Sequence, residues 1–578
     1  MPVDLVGGAA FPPIGQLSYL LTLAPYGFMW FILATEAALP PWHVRPSEPL
    51  PELTTLVARN GLSDVLTTPA KKLIEAEALP AYLMRRRWFA AKDKGVKAAR
   101  LRQADKIPGR TLDILLAEVE VHAGEDTLRY NLPLGISWDG ETNSALPQQL
   151  ALARVRQGRR MGFLTDAFAI DAFPLGLIRA LRTSLVVPVH GGEIRCLPTR
   201  QLEAVELPET PEILRLSAEQ SNSSLIVGNK IIMKIIRRVM AGVNPEVEMV
   251  RYLTEKGFRN TPPLLGEVVR HDADGTFYGM IVAQAFMHNQ GDAWQYTLNF
   301  LSRFLQDLAG PEDAQGEASH MAPYAVFSRA MGTRLGELHA LLAQPSTDEA
   351  FDPLTAGEAE VAEWARGAAA QLEKAFDTLR TMSGLRDGAA DFVLGARDRI
   401  LLSLQDLAEA GIGSLRTRVH GDFHLGQVLV SREDAYLIDF EGEPAKPLEV
   451  RRGKSSPMRD VAGLLRSFHY AAAAAKLAYE SAPGMAGTDV AAPLARFVEE
   501  MSAQFLNAYR AVELKAAPRW VPDERAEQGL LDLFLLEKSA YEICYEAANR
   551  PHWIDIPLGG FTEIAKRVLH VEVEQADG

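Results

Sequence analysis

The stretch SNSSLIVGNKIIMKII sets two short apolar runs on either side of Gly228-Asn229. Runs of this length around a glycine-containing pair predict a β-hairpin, with a polar Ser/Asn loop leading into it. AGVNPEVEMVRYLTEKGF follows, and Asn244 with Pro245 behind it marks a helix start. YGMIVAQAFM (278–287) reads as a buried strand. From about residue 291 onward, long Ala/Leu-rich stretches predict a mainly helical lobe.

Upstream, TLDILLAEVEV (111–121) and TLRYNLPLGISW (127–138) flank the turn-like HAGED and read as antiparallel strands. A helical pattern from Leu56 ends near Arg87-Trp88, a second covers 173–183, and SLVVPV supplies a further strand. PPWHVRPSEPLPELT (40–54) is proline-rich and reads as a linker. Before it, residues 11–33 read FPPIGQLSYLLTLAPYGFMWFIL, and no charge occurs between Asp4 and Glu36. That run is long enough for a membrane span. Pro12, Pro13, Pro25, Gly15 and Gly27 interrupt it, however, and Leu17, Tyr19, Leu21 and Leu23 alternate. LSYLLTL and FMWFIL joined by a Pro-Tyr-Gly turn is the better reading, and Asp4 alone ahead of the run excludes a basic signal-peptide start.

At 578 residues and 63.4 kDa the chain exceeds one core and should form several domains. A formal charge of −14, without a long Lys/Arg block, sets nucleic-acid readers aside. Cys196 and Cys544 have no metal-ligand spacing, and their scarcity suits a reducing, cytoplasmic setting.

Candidate chemistry concentrates in TRVHGDFHLGQVLVSREDAYLIDFEGEP (417–444). Phosphoryl transfer needs a carboxylate to orient the acceptor hydroxyl and take its proton, and metal ions against the nucleotide phosphates. The kinase pattern HRDxxxxN followed by a strand ending in DFG has its counterpart here. Asp422 to Gln427 keeps the five-residue step, and Asp439 follows Asp422 by 17 residues. Asp422 is thus assigned as base, Gln427 and Asp439 as metal ligands, and His420 as a structural brace. Lys234, within IIMKII, would hold the phosphates, because an unpaired buried lysine is costly. Glu246 and Glu248 are both candidates to hold that lysine, and helix phase does not decide between them. Lys230, beside the turn, should be solvated. The loop Ser221, Asn222, Ser223 and Ser224 would cover the phosphates.

Together QSNSS, the lysine strand, NPEVE, HGDFHLGQVL, IDFEGEP, SSPMRDVAGLLRS and NRPHWIDIPL resemble maltokinases over about residues 55–578. Residues 5–36 resemble the last strands of the β-domain that closes trehalose synthases, known as fused neighbours of maltokinases. The resemblance implies an α+β, bilobal protein-kinase-like fold with an N-terminal cap and a short all-β remnant in front. The expected segments are 1–48 (remnant plus linker), 49–205 (cap), 206–290 (N-lobe) and 291–578 (C-lobe). It also implies ATP and Mg²⁺ as cofactors, maltose as acceptor, and maltose 1-phosphate as product for α-glucan synthesis. Trehalose synthase is a candidate partner; neither nucleic acid nor membrane is expected. By resemblance Glu248 is the preferred partner of Lys234, and Asp460 braces the catalytic loop. Trp88, Phe89 and Lys92 resemble an element near the start of maltokinases.

For the sugar, Lys538, Tyr541, Glu542 and Tyr545 fall on one helical face, offering charge and an aromatic platform. His424 is placed near the acceptor, and His469 and Trp553 are read as packing residues. Rival readings are a same-fold kinase for glucosamine or an aminoglycoside, and an inactive scaffold for trehalose synthase.

Overall fold

The computed structural model describes residues 2–4, 31–33, 53–106, 114–142, 144–216, 222–308, 317–382, 388–443, 446–481 and 490–571. The LSYLLTL strand, the turn at 25–27, most of the 40–54 linker and Ser221 lie outside them. The chain divides into two compact units: residues 1–85 with 134–170, and residues 86–133 with 171–578. The segment expected as a cap therefore contributes to both.

In the first unit, Thr55–Val57 pairs in parallel with Ala151–Gln157. That strand pairs antiparallel with Arg160–Asp166, which in turn pairs with Leu134–Trp138. The helical pattern expected from residue 56 starts instead at Thr68, with Pro69 in its first turn, and runs to Met84. Thr55–Val57 is claimed by its strand partner, which short apolar β-branched runs favour. Tyr82 donates from its buried hydroxyl to Asp166, 3.0 Å away. At the start of the chain, Pro2–Asp4 pairs antiparallel with Phe31–Leu33.

The second unit holds a seven-stranded antiparallel sheet. Its order is Val186–Val189, Gly192–Pro198, Leu264–Asp272, Phe277–Ala285, Ile231–Ile235, Ser223–Val227 and Ile213–Arg215. The first two strands precede residue 206, so the sheet runs across the expected cap boundary. The hairpin forms as the sequence predicts: Val227 pairs with Ile231, and in the three-residue connection between them Gly228 (φ 58°) and Asn229 (φ 53°) are both left-handed. Behind the sheet, the helix Pro245–Glu255 begins where Asn244 Oδ1 accepts from the Val247 amide at 3.2 Å. A smaller ladder, Ala98–Lys106, Ile114–Ala123 and Asp126–Asn131, joins the hairpin's exit through Asn131 N–H to Arg237 carbonyl (2.7 Å).

The remainder is mainly helical. Glu317–Leu342, Glu358–Thr381, Met458–Glu480, Ala491–Glu513 and Glu524–Asn549 enclose a continuous apolar core. Tyr324, Phe468, Phe497 and Phe534 anchor it, and burying each such ring contributes about 1.5–3 kcal/mol. Gly463 has no Cβ because one would strike the Phe423 carbonyl, so Met458–Glu480 lies directly against the loop that carries Asp422. Among the described residues no helix is long and apolar enough to cross a membrane.

Candidate active site

His420 through Gln427 form a pinned loop. Asp460, at the start of Met458–Glu480, accepts from the His420 amide (2.7 Å), the Gly421 amide (2.9 Å) and His339 Nε2 (3.1 Å). Burial alone would raise its pKa, but His339 and these donors outweigh it and hold the carboxyl below its usual range. His420 Nε2 donates to the Ile438 carbonyl at 2.8 Å, and its ring lies between Phe423 and Phe440. Gly421 supplies the positive φ (83°) that the bend needs. His424 Nδ1 accepts from the Gly426 amide at 3.0 Å and caps the short turn Leu425–Gln427.

Val428–Ser431 then returns antiparallel to Asp434–Leu437, and the Ile438 amide reaches the Gln427 carbonyl at 3.0 Å. Gln427 and Asp439 are thereby set beside each other. Asp439 itself has φ 66°, a strained value for a non-glycine residue and of the kind held at functional sites. Its carboxylate gathers with those of Glu246 and Glu441, one oxygen of each lying within 4.8 Å of the others. Burial, reinforced by the charges of Asp439 and Glu441 against the pull of Lys234, pushes Glu246 up to about 7. Burial likewise raises Glu441, with Asp439 adding to it. Three crowded carboxylates against one lysine are a hard, oxygen-rich set that suits a divalent cation. Glu441 was not singled out from the sequence, although it is the third residue of the DFE triplet.

The preferred lysine partner is corrected. Lys234 Nζ bonds Glu246 Oε1 at 2.8 Å. Glu248 instead receives Arg418 at 2.6 Å and a two-pronged contact from Arg452 at 2.6 and 3.0 Å. The two residues project to opposite sides of the helix, and only Glu246 faces the lysine strand. On the covering loop, Asn222 Nδ2 donates to Glu441 Oε1 (3.3 Å), and Ser223 Oγ accepts from Arg237 Nε (2.8 Å). Ser224 is fully buried opposite Lys234 in the sheet register, so its hydroxyl does not face open solvent. Buried Arg237 also lies over the ring of Trp88, 5.0 Å from its centre, and Trp88 packs on Tyr130. The Trp88 element thus packs under Arg237, just beyond the end of the lysine strand.

On the acceptor side, Asp422 Oδ1 stands 3.6 Å from Lys538 Nζ, and Oδ2 3.9 Å from His424 Nε2. A cavity of about 200 Å³ opens there, lined by Asp422, Lys538, Tyr541, Glu443, Arg459 and Glu537. The last three and Trp364 also line an adjoining cavity of about 450 Å³. Burial and the nearby Glu443 and Asp422 push the Tyr541 hydroxyl up to about 12, so it remains a donor. Lys538 and Tyr541 thus line the same cavity as Asp422.

Glu542 and Tyr545 do not. Glu542 is buried and bonds Arg466 Nε at 2.9 Å, because Met458–Glu480 packs along that edge of the helix. Tyr545 is exposed, stacked on Tyr541 and approached by Arg550. Trp553 packs on Tyr470 and Arg550, and burial lowers His469 to about 3, as packing residues would. Glu443, Glu537, Arg459 and Trp364 escaped the sequence reading. Glu537 adjoins Lys538 and Glu443 lies four residues beyond Asp439, whereas nothing in the sequence marks Trp364.

Residues 212–494 match the phosphotransferase enzyme family, residues 82–169 the maltokinase N-terminal cap domain, and residues 1–30 the maltogenic amylase C-terminal domain. The glucosamine kinase of Mycolicibacterium smegmatis is 28% identical over 347 residues, 59% of this chain and 77% of that one. The trehalose synthase/amylase of Mycobacterium tuberculosis is 56% identical over 41 residues, 7% of each chain. A solved glucosamine kinase, in complex with glucosamine, ADP and inorganic phosphate, superposes with a TM-score of 0.59. It is 20% identical and covers 86% of this chain and 98% of that one, a likeness of fold.

Proposed function

We propose that this chain, whose residues 212–494 match the phosphotransferase enzyme family and whose residues 82–169 match the maltokinase N-terminal cap domain, transfers the γ-phosphoryl group of ATP to the anomeric hydroxyl of maltose. One observation carries the choice of a disaccharide. The small cavity beside Asp422 adjoins a second along Glu443, Arg459 and Glu537, so a second ring has polar walls to lie against. Small-molecule sites usually occupy 300–1,000 Å³, more than the first cavity alone provides.

In this reading Asp422 orients the acceptor hydroxyl and receives its proton late. Lys538 and His424 present nitrogen donors to the same carboxylate and to the incoming sugar. Lys234, held by Glu246, reaches the phosphates, with the backbone of 222–223 over them. Gln427, Asp439 and Glu441 would hold Mg²⁺, which supplies charge neutralisation on the transferred group. ATP use fits a cytoplasmic enzyme, and the opening segment fits a pathway in which trehalose synthase activity supplies maltose. A second reading, phosphorylation of glucosamine, is favoured by the two relatives that are glucosamine kinases.

Incubating the purified chain with ATP, Mg²⁺ and maltose, glucosamine or trehalose decides the matter. Maltose should give a phosphorus NMR signal coupled to the anomeric proton. Trehalose has no free anomeric hydroxyl and should stay unchanged. A 6-phosphate, or turnover of glucosamine alone, overturns the maltose assignment.

A further inference from the structure

We propose that Glu248 is a positioning residue: it fixes the roll of the helix Pro245–Glu255 so that Glu246 meets Lys234. The inference rests on the phosphoryl-transfer reading, in which Lys234 must be held against the phosphates.

Successive helical residues are about 100° apart, so residues two apart point nearly opposite ways. Glu246 turns toward Lys234 and the carboxylates of Asp439 and Glu441. Glu248 turns the other way, and its two oxygens take three N–H donors. Oε2 accepts from Arg418 Nη1 (2.6 Å) and Arg452 Nε (3.0 Å), and Oε1 from Arg452 Nη2 (2.6 Å). Arg418 is fully buried and lies on Phe351, which stacks face to face on Tyr252 at 3.9 Å. Tyr252 is one turn beyond Glu248 on the same helix, so the helix is gripped at two successive turns.

The donors tie that grip to the chemistry. Arg418 stands four residues before Asp422, on the run entering the catalytic loop. Arg452 follows the Asp439–Glu443 segment, and the isolated bridge between Thr417 and Ser455 closes the two stretches together. One carboxylate thus joins the nucleotide-side helix, the base loop and the segment after the metal ligands. A roll of the helix large enough to part Glu246 from Lys234 would have to break all three charge-assisted bonds.

The test is a mutant cycle on the full chain, read as KM for ATP and kcat separately, with circular dichroism as the check on folding. Glu248→Gln should raise KM for ATP about tenfold, since residues sharing one network couple by amounts of that order. In a Glu246→Gln background the same change should cost less than about twofold, because the residue it acts through has already been disabled. Glu248→Asp should restore part of the loss. If Glu248→Gln does not fold, Arg452→Gln, at a side chain that is one-third exposed, should give the same pattern in milder form. An unchanged KM for ATP in whichever variant folds overturns the proposal, as does a full multiplicative loss in the double variant. A wild-type chain that turns over no sugar overturns the phosphoryl-transfer reading instead, so the two failures are distinct.

Discussion

Lys234 Nζ lies 2.8 Å from Glu246 Oε1, with 18% and 4% of the two side chains exposed. At that depth Lys234 is the counter-charge of Glu246 and of the neighbouring carboxylates, and removing one partner of a buried pair costs about 3–5 kcal/mol. Glu246→Ala and Lys234→Ala should each lower the melting temperature, while the double variant should melt above the worse of the two. Turnover should fall steeply, to a residual rate, in all three. Strictly additive melting shifts would mean that the two side chains do not depend on each other.

Asp439→Asn should cut turnover at least about a hundredfold, the several kcal/mol that a charge-neutralising metal ligand supplies. Its fold should survive or gain, because one charge leaves a crowded acidic cluster. Gln427→Ala, losing a neutral ligand, should be damaging but less so. Turnover and thermal melting at ordinary Mg²⁺ check both; near-normal rates for Asp439→Asn would remove it from the metal site.

The sugar side separates in the same way. Lys538→Met should fold normally and raise KM for the acceptor, because its ammonium stands beside Asp422 in the cavity. Glu542→Gln should instead destabilise the chain by about 3 kcal/mol, leaving Arg466 buried without its counter-charge. Surviving Glu542→Gln protein should show an ordinary KM. Melting curves beside acceptor kinetics distinguish the two, and the opposite pattern would return Glu542 to the sugar.

What the sequence made legible follows from how local the signal is. The hairpin, the Asn244 cap and the spacing of Asp422, Gln427 and Asp439 are each written in one short stretch of chain, and the hairpin and the cap form as read. The partner of Lys234 was not legible. Glu246 and Glu248 are equally acidic, and only Arg418 and Arg452, far along the chain, draw Glu248 away. Helical periodicity put Glu542 on the face of Lys538, but Arg466 of a neighbouring helix takes it. Trp364 reaches the acceptor groove from a helix with no chemical motif, so only tertiary structure reveals it. Thr55–Val57 carried a helical pattern and became a strand because its partner lies a hundred residues downstream.

Asp460 offers a test with a defined pH signature. Buried and 1% exposed, it accepts the His420 and Gly421 amides and faces His339. Asn would turn an amide N–H₂ toward groups that donate, so Asp460→Asn should lose about 2–3 kcal/mol of stability and slow turnover as the Asp422 loop loses its anchor. The folded carboxyl titrates below its ordinary value of 3.8, so between those two values the unfolded chain binds the extra proton. Its contribution is therefore complete above about pH 4 and is lost only as the pH falls through the lower, folded value. Urea midpoints of wild type and Asp460→Asn should differ by the same amount at about pH 8 and pH 5, and converge only in stronger acid. A gap that closes between pH 8 and pH 5 would show that another group, and not the Asp460 carboxylate, sets the difference.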